Sequence, residues 1–114
     1  MERIGEGLKN KYRQLFRPKY TVVLHQVRDE LGISIGSYCI FDSIHKLSHS
    51  NRDHVYCTLS KQNIGKFLGT TQRTVFRAIK EGLELGLIEK NERGDLRTTR
   101  KWVDLVEFYS IKGE

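Results

Sequence analysis

The sequence predicts a mainly helical α+β domain, with a three-helix core and a small C-terminal β-hairpin. Three observations lead there. Apolar residues recur every three to four positions through residues 25–47 and again through 61–85. Gly32, Gly69 and Gly86 stand where those patterns stop, as helix-ending glycines do. Beyond Gly86, two runs suited to strands flank a polar turn that contains Gly94.

Size and composition agree with this class. The chain has 114 residues, enough for one domain, with 38% hydrophobic and 30% charged residues. That mixture is too apolar for a disordered tail. No apolar run reaches the roughly 18 residues of a membrane span, and Met1 opens a charged stretch unlike a signal peptide. Cys39 and Cys57 are too few for a disulfide scaffold, so a reducing, cytoplasmic location is expected. Twenty Lys and Arg against fourteen Asp and Glu give a formal charge of +6, which suggests a polyanionic partner. The excess lies in two regions. Residues 1–20 hold six bases and two acids, and residues 60–101 hold ten bases and five acids. Any basic protein has charged, solvated faces, so charge alone does not name the partner.

Element by element, residues 3–17 place Ile4, Leu8, Tyr12, Leu15 and Phe16 at helical spacing among bases, and Pro18 ends the pattern. Residues 1–19 are therefore expected to form a basic amphipathic arm. Residues 20–24 are β-branched and aromatic, a short strand or an extended piece. Residues 25–31 suit a short helix ended by Gly32. Ser34 reads as the N-cap of a longer helix carrying Ile35, Tyr38, Phe41, Ile44 and Leu47, with Cys39 and Ile40 beside them. Residues 48–53 read as a polar loop and residues 55–59 as a strand. Ser60 would cap a helix with Ile64, Phe67 and Leu68 inward. Thr70 or Thr71 caps the next, which runs to about Leu85 with Gly86 as its left-handed C′ residue. The hairpin takes residues 87–90, a turn at 91–94, and a second strand from Leu96 to about Leu105. This gives a domain over residues 20–105 and a tail at 106–114 available as a dimer contact.

A short helix, a glycine-containing turn and a longer helix make a helix-turn-helix, and a basic two-stranded wing directly after it narrows the type to the winged one. On a wheel advancing about 100° per residue from Gln72, Val75, Ala78, Ile79, Gly82 and Gly86 fall between about 240° and 340°. Arg73, Arg77, Lys80 and Glu84 centre on about 110°, the opposite face. A core-packed helix thus turns two arginines and a lysine outward, as reading guanine edges and phosphates in a major groove requires. Thr71 and Gln72 lie in its first turn, nearest to base edges, although Thr71 is equally a candidate cap. Phe76 sits at the border of the two faces, near about 40°. It either packs on the domain or a partner chain, or touches thymine methyls. In the wing region 87–101, Arg93, Arg97, Arg100 and Lys101 would reach backbone phosphates, or else blunt a solvent-facing edge.

The run of residues 59–80, LSKQNIGKFLGTTQRTVFRAIK, continued by EGLELGLI, resembles the winged helix-turn-helix of bacterial and phage DNA-binding proteins. It is similar to the DNA-binding domains of cyclic-AMP-receptor-like regulators and to those of plasmid and phage replication initiators, over roughly residues 20–103. The resemblance implies a double-stranded DNA partner. Carried over by position, Thr71, Gln72, Arg73 and Arg77 would contact bases, and Lys61, Gln62, Lys66 and Lys80 the backbone, with the wing bases Arg93, Arg97, Arg100 and Lys101. Two departures stand out. Gly82 occupies a place usual for a larger apolar residue, which leaves the packing of the last turns open. The short chain leaves no room for an effector domain, so no small-molecule effector is expected.

The expected function is therefore sequence-specific DNA binding as a homodimeric transcriptional regulator, because one such module buries limited DNA surface and symmetric pairing is the usual remedy. The alternatives are a replication initiator and a winged-helix protein-interaction module. The exposed bases of the 71–85 helix favour DNA over the latter. His45 and His49 at i, i+4, with His54 and Cys57 nearby, match no compact zinc spacing, so no metal and no cofactor are expected. Cys39 and Cys57 are expected to be buried small hydrophobes, with a redox pair as the alternative. Without a phosphate loop, a nucleophile elbow or paired carboxylates, an enzyme is not expected.

Overall fold

The computed structural model describes residues 21–48 and 61–112. The arm before residue 21, Ser60 as a cap, the strand expected at 55–59 and the loop expected at 48–53 lie outside them, except for Ser48, which is the buried last residue of a helix and not part of a loop.

The chain enters in extended form. Leu24, with φ −93° and ψ 105°, is the N-cap of α1 (His25–Leu31), and its carbonyl accepts from the Val27 and Arg28 amides at 3.0 and 3.2 Å. Of the strand and extended alternatives for this piece, the extended one is found. Gly32 ends α1 in the left-handed region, as expected for the residue after a last helical turn. Ser34 starts α2 (Ile35–Ser48), its Oγ accepting from the Ser37 amide at 3.1 Å. α2 is the central helix: Tyr38, Ile40, Phe41 and Ile44 are all buried. Ile35 shares their spacing yet is 51% exposed, at the first residue of the helix.

α3 (Lys61–Leu68) and α4 (Gln72–Glu84) follow as helix, turn and helix. Two local features make the turn tight. Gly69 takes φ +74°, and the Thr70 amide donates back to the Gly65 carbonyl at 2.8 Å. A Cβ on Gly65 would lie 2.9 Å from the Thr70 carbonyl oxygen, so only glycine lets the two helices approach at the elbow. The hairpin comprises β1 (Ile88–Lys90) and β2 (Leu96–Thr98), antiparallel with Glu89 opposite Arg97. Asn91 builds the turn by accepting the Arg93 and Asp95 amides on its side-chain oxygen, with Gly94 at φ +89°.

The second strand does not run to Leu105. It stops at Thr98, and α5 (Arg100–Lys112) begins at once, so Arg100 and Lys101 belong to a helix and not to the wing. The cause is the Trp102 side chain, which together with the partly buried Val106 and Tyr109 keeps a helical period. Trp102 is 1% exposed and packs on Tyr38 and Phe41, at ring-centre distances of 5.0 and 5.7 Å. α5 also meets α1, where the Tyr109 hydroxyl donates to Glu30 at 2.7 Å. The result is a small mixed α+β domain of winged-helix type. Its core runs from Val27 through α2 to Val75, Ile79, Leu87, Ile88 and Leu96.

Candidate nucleic-acid interface

α4 is fixed along its inner side and at both ends. Thr71 is its N-cap, with Oγ1 accepting from the Thr74 amide at 3.1 Å, so of the two threonines it is Thr71 that caps. Val75, Ala78, Ile79 and Gly82 are buried. At the far end Gly86 takes φ +75°, and the Leu87 amide returns to the Gly82 carbonyl at 2.8 Å. Gly82 needs no larger side chain here. A Cβ on it would lie 2.8 Å from both Phe41 Cε1 and Ile88 Cδ1, so the missing side chain is what brings α2 and β1 against the last turns.

The outer side of α4 carries Thr71, Gln72, Arg73, Arg77 and Lys80, all exposed. Positive charge occupies its first two and a half turns, and Glu81 and Glu84 follow. Glu81 is already engaged, accepting from the Ser37 hydroxyl at 2.8 Å across a surface cleft between α2 and α4 of about 510 Å³. The uncompensated donors are thus at the amino end, the part of such a helix that reaches base edges.

The remaining predicted residues separate into two groups. Gln62, Lys66 and Arg93 are exposed, the first two on α3 and the third at the wing tip. The others have partners within the chain. Lys61 places its ammonium 5.4 Å from the centre of the Phe76 ring, a cation–π contact joining the start of α3 to α4. Arg97 is paired with Glu89 on the neighbouring strand. Arg100 reaches Asp104 one turn along α5 at 3.3 Å. Lys101 donates to the Leu85 carbonyl at 2.8 Å, and Thr99 Oγ1 donates to the Gly86 carbonyl at 2.6 Å. Two consecutive carbonyls at the end of α4 are therefore satisfied from the start of α5. The clamp depends on α5, whose first residues the sequence pattern assigns to a strand.

Elsewhere His45 Nδ1 lies 2.8 Å from Thr98 Oγ1, tying α2 to β2, while His49, His54 and Cys57 fall outside the described residues. Among the described residues no group of three or more potential ligands is placed to hold a metal ion. Cys39 is half-buried, and its thiol is pushed above its ordinary range by burial and, less strongly, by Asp42. No helix among the described residues is long and apolar enough to cross a membrane. No family model, curated protein or solved structure matches the chain.

Proposed function

We propose that this domain binds double-stranded DNA sequence-specifically as a non-catalytic, cytoplasmic transcriptional regulator, with α4 in the major groove and the wing tip on the backbone. One observation carries the reading. A helix whose inner side is buried, and whose two ends are hydrogen-bonded in place, exposes Gln72, Arg73, Arg77 and Lys80. Arg pairs bidentately with guanine and Gln with adenine, and a rigid support is what such geometry needs. Thr71, Gln72, Arg73 and Arg77 are assigned to bases or adjacent phosphates. Gln62, Lys66, Lys80 and Arg93 are assigned to the backbone, where they supply affinity and salt dependence.

The domain acts as a homodimer on an inverted repeat. Phe108 and Ile111, 53% and 77% exposed near the end of α5, support self-association through that helix. Sedimentation at tens of micromolar is expected to show a dimer, and a monomer removes this part of the reading.

Selection of binding sites from a random duplex pool tests the whole. A defined motif is expected, and Arg73→Ala or Arg77→Ala should each weaken binding to it by about 1–3 kcal/mol. Full retention of specific affinity in the Gln72, Arg73 and Arg77 triple-alanine variant defeats the assignment of α4. Motifs located in promoters mark a regulator, and repeats beside an origin mark a replication initiator.

A further inference from the structure

Phe76 is half-exposed, and it belongs neither to the buried core nor to the apolar side chains packed against it. It is the single large apolar residue on the exposed side of α4. Helical spacing sets Gln72 and Arg73 one turn before it and Lys80 one turn after, and the Lys61 ammonium covers one side of the ring. We propose that Phe76 recognises the C5-methyl group of a thymine in the major groove, as a specificity-determining residue alongside the polar readers. The proposal rests on the DNA-binding reading above.

The surroundings of the ring select this partner over a protein. A protein interface would bury the ring in a desolvated, charge-poor centre, where lysine is depleted. Here the ring has Lys61 over it and Gln72, Arg73 and Lys80 one helical turn away, three of the four cationic. Among the described residues, the other large exposed apolar side chains lie on different elements: Val22 ahead of α1, Ile35 at the start of α2, and Phe108 and Ile111 near the end of α5. The cleft between α4 and α2 is lined from α4 by Thr74, Arg77, Ala78, Lys80, Glu81 and Glu84, and Phe76 is not part of it. What fits a lone apolar surface in a cationic setting is a lone apolar group in an anionic one. On the base edges of the major groove that group is the thymine methyl.

The contact also explains why Lys61 is held over the ring. An ammonium there adds positive charge beside the ring, where a phosphate backbone would pass.

The test uses the full chain and a duplex obtained by selection, with each thymine replaced in turn by uracil, which keeps the pairing and O4 but lacks the methyl. Wild type is expected to bind at least one uracil duplex about three- to fivefold more weakly, the fold-change for one buried methyl. Phe76→Ala should bind the thymine and uracil duplexes equally, and Phe76→Leu should keep part of the difference. Because Phe76 is outside the core, both variants should show the wild-type circular dichroism spectrum. Indifference of wild type to uracil at every position overturns the proposal, as does discrimination that survives in Phe76→Ala. If wild type selects no duplex at all, the DNA-binding reading falls and this one with it. If it selects a site that depends on Arg73 and Arg77 but ignores the methyl, this proposal alone falls.

Discussion

The ammonium of Lys101 donates to the backbone carbonyl of Leu85, so the first turn of α5 closes the last turn of α4. A cation at that end also opposes the partial negative charge of the helix terminus. Lys101→Met keeps the aliphatic stem and removes the donor. It should lower unfolding stability by about 1 kcal/mol in urea denaturation. The slope of DNA affinity against salt should stay as in wild type. A slope reduced by about one would instead put Lys101 on a phosphate.

Gly82 sets two effects against each other. Alanine would gain up to about 1 kcal/mol of helix propensity. The added Cβ meets Phe41 and Ile88, both buried, and overpacking of that kind costs about 1–3 kcal/mol. The clash should win, with Gly82→Ala less stable by about 1 kcal/mol. A raised melting temperature in this variant would mean that α2 and β1 yield more readily than their burial implies.

Trp102 joins α5 to the aromatic centre of α2. Trp102→Ala should cost about 3–5 kcal/mol, a large share of what holds a domain this small. Far-UV circular dichroism should show partial or complete unfolding at 37 °C, whereas Trp102→Phe remains folded with a lower midpoint. Native-like stability in the alanine variant would show that α5 is not part of the core.

The Tyr38 phenol titrates above its ordinary value of 10.0, chiefly because burial disfavours the charged form; a backbone hydrogen bond at Leu24 pulls the other way. The folded state therefore holds this proton more tightly than the unfolded chain does. The resulting stability is fully present below about pH 10 and is lost as pH rises through the higher folded value. Denaturation midpoints between pH 8 and 11 should fall more steeply for wild type than for Tyr38→Phe. Parallel curves would remove Tyr38 as the cause. Tyr109, raised by its hydrogen bond to Glu30, acts in the same direction, so Tyr38→Phe should flatten the curve only in part.

In the wing, Glu89 holds Arg97 and offsets its charge. Glu89→Gln removes one negative charge and weakens the pairing. Binding to specific and unrelated duplexes alike should strengthen, with a salt slope steeper by up to about one. Arg93→Ala should do the reverse. An unchanged slope in both variants would take the wing off the DNA backbone.

Much of the fold was legible because it is written in local chemistry. Gly32, Gly69, Gly86 and Gly94 all take positive φ, and Ser34 and Thr71 cap the helices they precede. The outward side of α4 also followed from periodicity alone. The failures share a different physical origin. From Leu96 to Leu105 no glycine or proline marks a break, and the Leu, Thr, Trp and Val residues there suit a strand. Helix is favoured there by the place Trp102 finds against Tyr38 and Phe41, more than sixty residues earlier. The partners of Arg97 and Lys101 likewise depend on strand register and on α5. Counting bases along residues 60–101 therefore overstated how many are uncommitted. Phe76 stayed ambiguous for the same reason: only the assembled domain shows that its core has no place for the ring.

The glycine at position 82 and the clamp on Leu85 and Gly86 have a corollary. The buried side and the two ends of α4 fix its position, with Glu81 on Ser37 and Phe76 under Lys61 as further ties, and among the described residues Arg73, Arg77 and Lys80 have no hydrogen bond or ion pair. Those three positions can vary with little penalty to folding, so under the proposed function recognition is separable from the scaffold. A library varied at 73, 77 and 80 among residues other than proline and glycine should yield mostly folded proteins, a practical starting point for retargeting the domain.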